Sequence, residues 1–201
     1  MQTQPTQQTQ KFRSLTSAVA LALVSIAFAG CTTTGTTDQA STASSRSAID
    51  ANVQATLSKF YTSVTGSREM VSKAAGVLVF PSVVGASFVV GADYGKGSML
   101  INGKPDSYYS TSSGSIGFQA GAQSKAVIYL FNTKESLEKF RSSKGWTAGV
   151  DATVAVAAVG ANGSVDTQSA GQPVVSFVMT NGGLEAGVSV SGSKITKLEI
   201  N

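Results

Sequence analysis

From Gly76 onward the chain alternates in steps of two, and glycine recurs inside that alternation instead of between its segments. Ala86, Phe88, Val90 and Ala92 alternate with Gly85, Ser87, Val89 and Gly91. Ile116, Phe118, Ala120 and Ala122 alternate with Ser115, Gly117, Gln119, Gly121 and Gln123. Trp146, Ala148, Val150, Ala152, Val154 and Val156 alternate with Thr147, Gly149, Asp151 and Thr153. A period of two sends successive side chains to opposite faces of a strand. Glycine weakens a strand unless the backbone must bend sharply or pack closely. Most of the 21 glycines lie in or beside these patterns, which argues for a sheet that is bent hard. Residues 125–131 (KAVIYLF) are apolar on both faces and read as a fully buried strand. Asn102-Gly103, Asn162-Gly163 and Asn181-Gly182 each separate β-type segments, and Asn and Gly tolerate the positive φ of tight hairpin turns.

Ahead of the sheet the period is helical. Ile49, Val53, Leu57, Phe60 and Val64 recur at steps of four, four, three and four, which places them on one face. Ser47 suits an N-cap and Gly66 a stop. A second, shorter helix starts with Ser67 as its cap and turns Met70, Val71 and Ala74 inward. A third interrupts the strands: Thr133 caps residues 134–141, with Leu137 and Phe140 inward and Glu135 four residues before Lys139. The expected class is α+β: a β-rich, strongly curved antiparallel sheet or barrel with N-terminal helices and one short helix between strands.

The first residues carry a different message. Lys11 and Arg13 precede a short apolar stretch, residues 15–29, that ends at Phe28-Ala29-Gly30-Cys31, before the single cysteine. About 20 residues are needed to cross a bilayer as a helix, so the stretch reads as a secretory signal and not as a span. Small residues directly before the cysteine resemble a bacterial lipoprotein signal, with Phe28 where Leu is usual, in which Cys31 is acylated and becomes the mature N-terminus. Residues 32–47 (TTTGTTDQASTASSRS) have no apolar anchors and read as a flexible tether. The expected organisation is a signal peptide over 1–30, the acylated Cys31 and tether over 31–47, and one folded domain over 48–201.

Composition removes most catalytic chemistry. The chain has no histidine, so it has no imidazole base and no Ser-His or Cys-His pair. An acylated Cys31 leaves no thiolate to attack, to hold a metal or to form a disulfide. The acidic residues stand singly apart from Glu135 and Glu138, so the chain reads as a non-enzyme without metal or cofactor; a carboxylate-only hydrolase is a distant alternative. Lys11 and Arg13 leave with the signal, so basic residues exceed acidic ones by only two and form no stripe for nucleic acid. Gly91-Ala-Asp-Tyr-Gly95-Lys-Gly97 lacks the spacing of a nucleotide loop and reads as a hairpin corner. Asn162-Gly163-Ser164 fits a glycosylation sequon but reads as a turn.

Three segments together are more specific than any one of them. They are Ala75-Gly-Val-Leu-Val-Phe-Pro81, Gly114-Ser-Ile-Gly-Phe-Gln-Ala-Gly121 leading into 126–131, and the closing stretch from Val174 through Asn181-Gly-Gly-Leu184 to Ile195. They resemble the SYLF domain family over about residues 49–198, with Phe177 where eukaryotic members often have Tyr and Tyr108-Tyr109 where Trp is common. The resemblance implies non-enzymatic lipid binding: eukaryotic SYLF proteins associate with phosphoinositide membranes through an N-terminal amphipathic helix, and in yeast with actin. That helix corresponds here to residues 47–64. The resemblance therefore points to Lys59, Phe60 and Tyr61, with Arg68 and Lys73 in the next segment, as lipid-binding residues. Phe60 also suits the core, and the basic residues also suit a solvated surface. The functional expectation is a lipoprotein of the bacterial cell envelope, anchored in the outer membrane by Cys31 and facing the periplasm or the cell surface, whose domain binds phospholipid. Its alternative is a structural or protein-partner-binding envelope lipoprotein without a lipid ligand.

Overall fold

The computed structural model describes residues 37–87, 90–116, 121–157, 165, 171–180, 183–185 and 189–200. The apolar stretch 15–29, Cys31, Phe88, Phe118, Asn162-Gly163 and Asn181-Gly182 lie outside these residues. The elements in order are α1 (Thr37–Ser63), α2 (Ser67–Lys73), β1 (Gly76–Ser87), β2 (Val90–Ile101), β3 (Lys104–Ile116), β4 (Gly121–Phe131), α3 (Lys134–Ser142), β5 (Trp146–Thr147), β6 (Ala155–Val156), β7 (Val174–Thr180), β8 (Gly183–Leu184) and β9 (Lys194–Leu198). The strands form one sheet in the order β5-β9-β3-β2-β1-β4-β7-β6, with β8 folded back on β7. The sheet curls into a half-barrel, as the strand glycines imply. All strand pairs are antiparallel except β6 on β7, so the expected antiparallel sheet is mixed at one edge.

The bend has a local cause. The registers of β1 shift between Val79 and Ser82 against β2, and between Phe80 and Val83 against β4. This is a bulge at Phe80-Pro81 on the central strand, where a proline without an N–H removes no ladder bond that the pairing needs. The facing stretch of β2 supplies Gly95 and Gly97. A Cβ at Gly95 would lie 2.7 Å from the Ser82 carbonyl oxygen, and one at Gly97 would run into the Val79 carbonyl oxygen and the Phe80 ring. Only glycine lets the two strands pass this closely. At the opposite end of β2, Asn102 and Gly103 both have positive φ, 51° and 75°, as a primed two-residue hairpin turn requires.

Each face of the sheet buries its own apolar cluster. On one face Leu78, Phe80, Tyr129 and Phe131 pack with Phe140 of α3 and Trp146. On the other Val77, Val79, Leu100, Ile128, Leu130 and Phe177 pack under Val53, Leu57 and Phe60 of α1 and Val64 just after it. Of the strand expected to be fully buried, residues 127–131 are so and contribute alternately to both clusters, while Lys125 and Ala126 are half-buried. α3 is capped as expected: Thr133 Oγ1 accepts from the Ser136 N–H at 3.1 Å, and Leu137 and Phe140 are buried. Glu135 and Lys139 are not among the ion pairs of the described residues, which are Lys73–Glu69, Lys125–Asp93 and Arg141–Asp106.

Several expectations are corrected. α1 begins at Thr37 and not at Ser47, within the expected tether; residues 37–47 contain no Gly or Pro to stop it, although Ala43, Ser45 and Ser47 are exposed, as their composition implies. Gly66 ends α1 in the left-handed region, φ 80°. Ser67 does not cap α2; its hydroxyl donates to the carbonyls of Val64 (2.6 Å) and Phe60 (3.2 Å), closing the end of α1 instead. The alternation over 86–92 is not one strand but the two arms of a hairpin, since Ser87 pairs with Gly91. That over 116–123 divides between β3 and β4, which lie on opposite sides of the β1–β2 pair. That over 146–156 breaks after Thr147, where the Asp151 carboxylate accepts the Thr147 N–H at 2.6 Å and Gly149 takes φ 80°. Period two reports which face a residue takes and is blind to a reversal that keeps the alternation in phase.

Candidate functional site

Between α1, α2 and the β2–β3 turn lies a groove of about 420 Å³. Its floor is apolar: Leu57 of α1, Val71 of α2, Ala74, Val77 of β1 and Leu100 of β2. Its rim is polar: Gln54, Tyr61, Arg68, Ser72 and Asn102. The helical repeat sets Gln54, Leu57 and Tyr61 along one side of α1, while the left-handed Gly66 turns the chain so that Arg68 and Ser72 come from the other wall. The Ser67 hydroxyl, buried and bonded to two α1 carbonyls, fixes this elbow.

The guanidinium of Arg68 lies 4.4 Å from the centroid of the Tyr61 ring, a cation–π geometry that orients a long side chain at the rim. Arg68 has no carboxylate partner within ion-pair distance among the described residues. Burial pushes the Tyr61 phenol above its ordinary pKa, with the charge of Arg68 acting against that shift. Tyr61 is therefore a neutral hydroxyl donor at physiological pH.

The five residues expected to bind lipid are not brought together. Tyr61 and Arg68 share the groove. Lys73 points away and pairs with Glu69 at 2.6 Å, a bond that holds the Glu69 carboxyl below its usual range. Lys59 lies on another side of α1, where its Nζ donates to the Thr180 carbonyl at 2.9 Å beside a small cleft of about 100 Å³ lined by Pro81, Ser124 and Lys125. Phe60 is fully buried, with its ring 4.7 Å from that of Phe177, and serves the core. The same holds for the apolar face of α1 as a whole: it packs on the sheet, and it is the neighbouring groove that is open.

Sequence reasoning missed Gln54, Ser72 and Asn102, which reach the rim through the meeting of three elements; no local pattern signals them. It also missed a polar latch. The Tyr108 hydroxyl donates to Asp50 Oδ2 at 2.8 Å, and Arg46, one turn before Asp50, sits 6.0 Å from the Tyr108 ring. Burial and the Asp50 carboxylate both push the Tyr108 phenol upward. The i, i+4 pair Arg46/Asp50 was the available signal. On the opposite face Lys125 Nζ donates to Asp93 Oδ2 at 2.9 Å, and the Asp93 carboxylate fills the space above Gly85. Among the described residues no group of acidic, thiol or imidazole side chains could hold a metal ion, and no helix is long and apolar enough to cross a membrane.

Residues 112–199 match a family model described as Ysc84: Las17-binding protein actin regulator. That family is the SYLF family that the sequence motifs resemble, and the matched residues run from the end of β3 through β9. The groove residues, 54–103, all precede the matched segment. Comparison of the chain with curated proteins returns no match.

Proposed function

We propose that the domain is a non-enzymatic binding module that takes up phospholipid in the groove between α1 and α2, on a chain held at the outer membrane by an acylated Cys31. The observation that carries this reading is the groove itself: an apolar floor large enough for hydrocarbon, with one oriented guanidinium at its rim and no acid to neutralise it. Arginine's planar fork matches a phosphate group, and an apolar cavity with a few convergent polar groups is the usual form of a small-molecule site. The anchor follows from the sequence before Cys31. Each buried methylene of an acyl chain contributes about 0.8 kcal/mol, so several chains would hold the protein without help from the domain. The domain is then free to bind a lipid in its own right.

A protein partner is the second reading. The matched family is described as a Las17-binding protein and actin regulator, and the match covers 112–199 instead of the groove. Titration of the compact unit, residues 35–201, with anionic phosphatidylglycerol vesicles, followed by NMR, separates the two. Shifts at Gln54, Tyr61, Arg68 and Val71, with the lipid recovered chemically unchanged, are expected. Silence across the groove would overturn the lipid reading and leave the protein partner.

A further inference from the structure

We infer that the groove selects a single-chain phospholipid, a lysophospholipid whose head is one monoanionic phosphodiester, over the two-chain lipids of the bilayer. The inference rests on the lipid reading above and narrows its ligand. Volume argues first. The cavity of about 420 Å³ lies near the lower end of the roughly 300–1,000 Å³ of small-ligand sites, a size that suits one acyl chain better than two. The walls do not widen easily: the Ser67 hydroxyl ties α2 to the end of α1, and Leu57, Val77 and Leu100 in the floor are core residues.

Charge argues second, and independently. Arg68 is the one cation in the lining of the groove. Lys73 is engaged by Glu69, and Lys59 is held at Thr180 beside a different cleft. A single guanidinium balances a single negative charge, which a phosphodiester carries; a phosphomonoester or a polyphosphorylated head brings more charge than this rim can meet. A guanidinium held over the Tyr61 ring can turn its N–H edge to the two non-bridging oxygens of the diester. The rest of the rim, Gln54, Ser72 and Asn102, supplies amide and hydroxyl groups for glycerol hydroxyls, and a lysophospholipid has one more of these than its two-chain parent.

The test compares 1-myristoyl-lysophosphatidylglycerol, below its micellar concentration, with dimyristoylphosphatidylglycerol vesicles. Calorimetry and NMR on residues 35–201 follow both. One lyso lipid per protein is expected, with shifts in the groove and no displacement by the two-chain vesicles. Arg68→Gln, an exposed change that leaves folding intact, weakens binding about tenfold, the scale of one charge-assisted pair at a partly open site; Arg68→Lys, which keeps the charge and loses the fork, falls between. Equal or stronger binding of the two-chain lipid in the groove would overturn the single-chain inference and leave the lipid reading standing. Unchanged affinity in Arg68→Gln would overturn the head-group assignment. Binding of neither lipid would remove both readings.

Discussion

The tight pass of β2 beneath the β1 bulge makes a quantitative demand on Gly97. In Gly97→Ala the new methyl group meets the Val79 carbonyl oxygen and the Phe80 ring, and the first of these belongs to the backbone of the central strand and has no rotamer to change. Relief requires β1 to move against β2, between two apolar clusters that are both closed. Overpacking of this kind costs about 1–3 kcal/mol, and the loss of unfolded-state freedom returns roughly 0.4–1 kcal/mol. A net loss of about 1–2 kcal/mol corresponds to roughly 2–8 °C in Tm for a domain of this size. Gly114→Ala is the matched control: it lies in the neighbouring strand, takes no positive φ, and a Cβ there has nothing within 4 Å. Its Tm should hold or rise by about 1–3 °C, because only the unfolded-state effect remains. Urea denaturation of both variants, read by circular dichroism, should show a lower midpoint for Gly97→Ala at unchanged slope. If Gly97→Ala proves as stable as Gly114→Ala, close approach at the bulge is not what bends this sheet.

Phe60→Ala should cost about 3–5 kcal/mol, since it opens a cavity against Phe177 in a closed cluster; a melting curve near wild type would instead place the ring at the surface. Burial raises the Tyr129 phenol well above its ordinary range, with the bond to Ser193 acting the other way. Above about pH 10 the unfolded chain therefore loses this proton first, and stability, level below that pH, should fall as pH rises through the folded-state value. Reversible titration of all five tyrosines near pH 10 with tertiary structure intact would contradict this. Cys31→Ser should move the protein from the membrane to the soluble fraction; retention in high salt without detergent would mean that the anchor lies elsewhere.

Legibility followed the range of the interactions. α3 was readable to its cap because Thr133, Leu137 and Phe140 act within one helical turn or two, and the Asn102-Gly103 turn because two residues carry the whole requirement. The buried strand 127–131 was readable because no polar residue interrupts it. The length of α1 was not, because residues 37–47 carry no apolar periodicity and no Gly or Pro to mark a start. Strand ends near Ser87 and Thr147 escaped because reversals there keep the alternation in phase. Of the site, Tyr61 and Arg68 were nameable as residues, while their meeting over a groove depended on Gly66 and Ser67, whose roles differ from the ones that local patterns suggest. The basic residues beside them were chemically equivalent in sequence and were separated only by their partners, Glu69 for Lys73 and the Thr180 carbonyl for Lys59.

The position of β9 sets a timetable. It lies between β3 and β5, so Tyr108 through Ser112, paired with β2 on one side, find partners on the other only when residues 194–198 have been made, and Trp146 waits for Ile195. A chain synthesised or threaded through a pore from its N-terminus therefore exposes one side of β3 from the emergence of residues 108–112 until residues 194–198 follow. Such long-range closure is slow, because the entropy of a large loop is lost before any contact repays it. It also leaves an unpaired edge open to wrong partners for as long as it lasts. Ser110 and Ser112, small and polar along that edge, limit its apolar character while it waits. Locking of this edge of the sheet is thus tied to arrival of its closing strand.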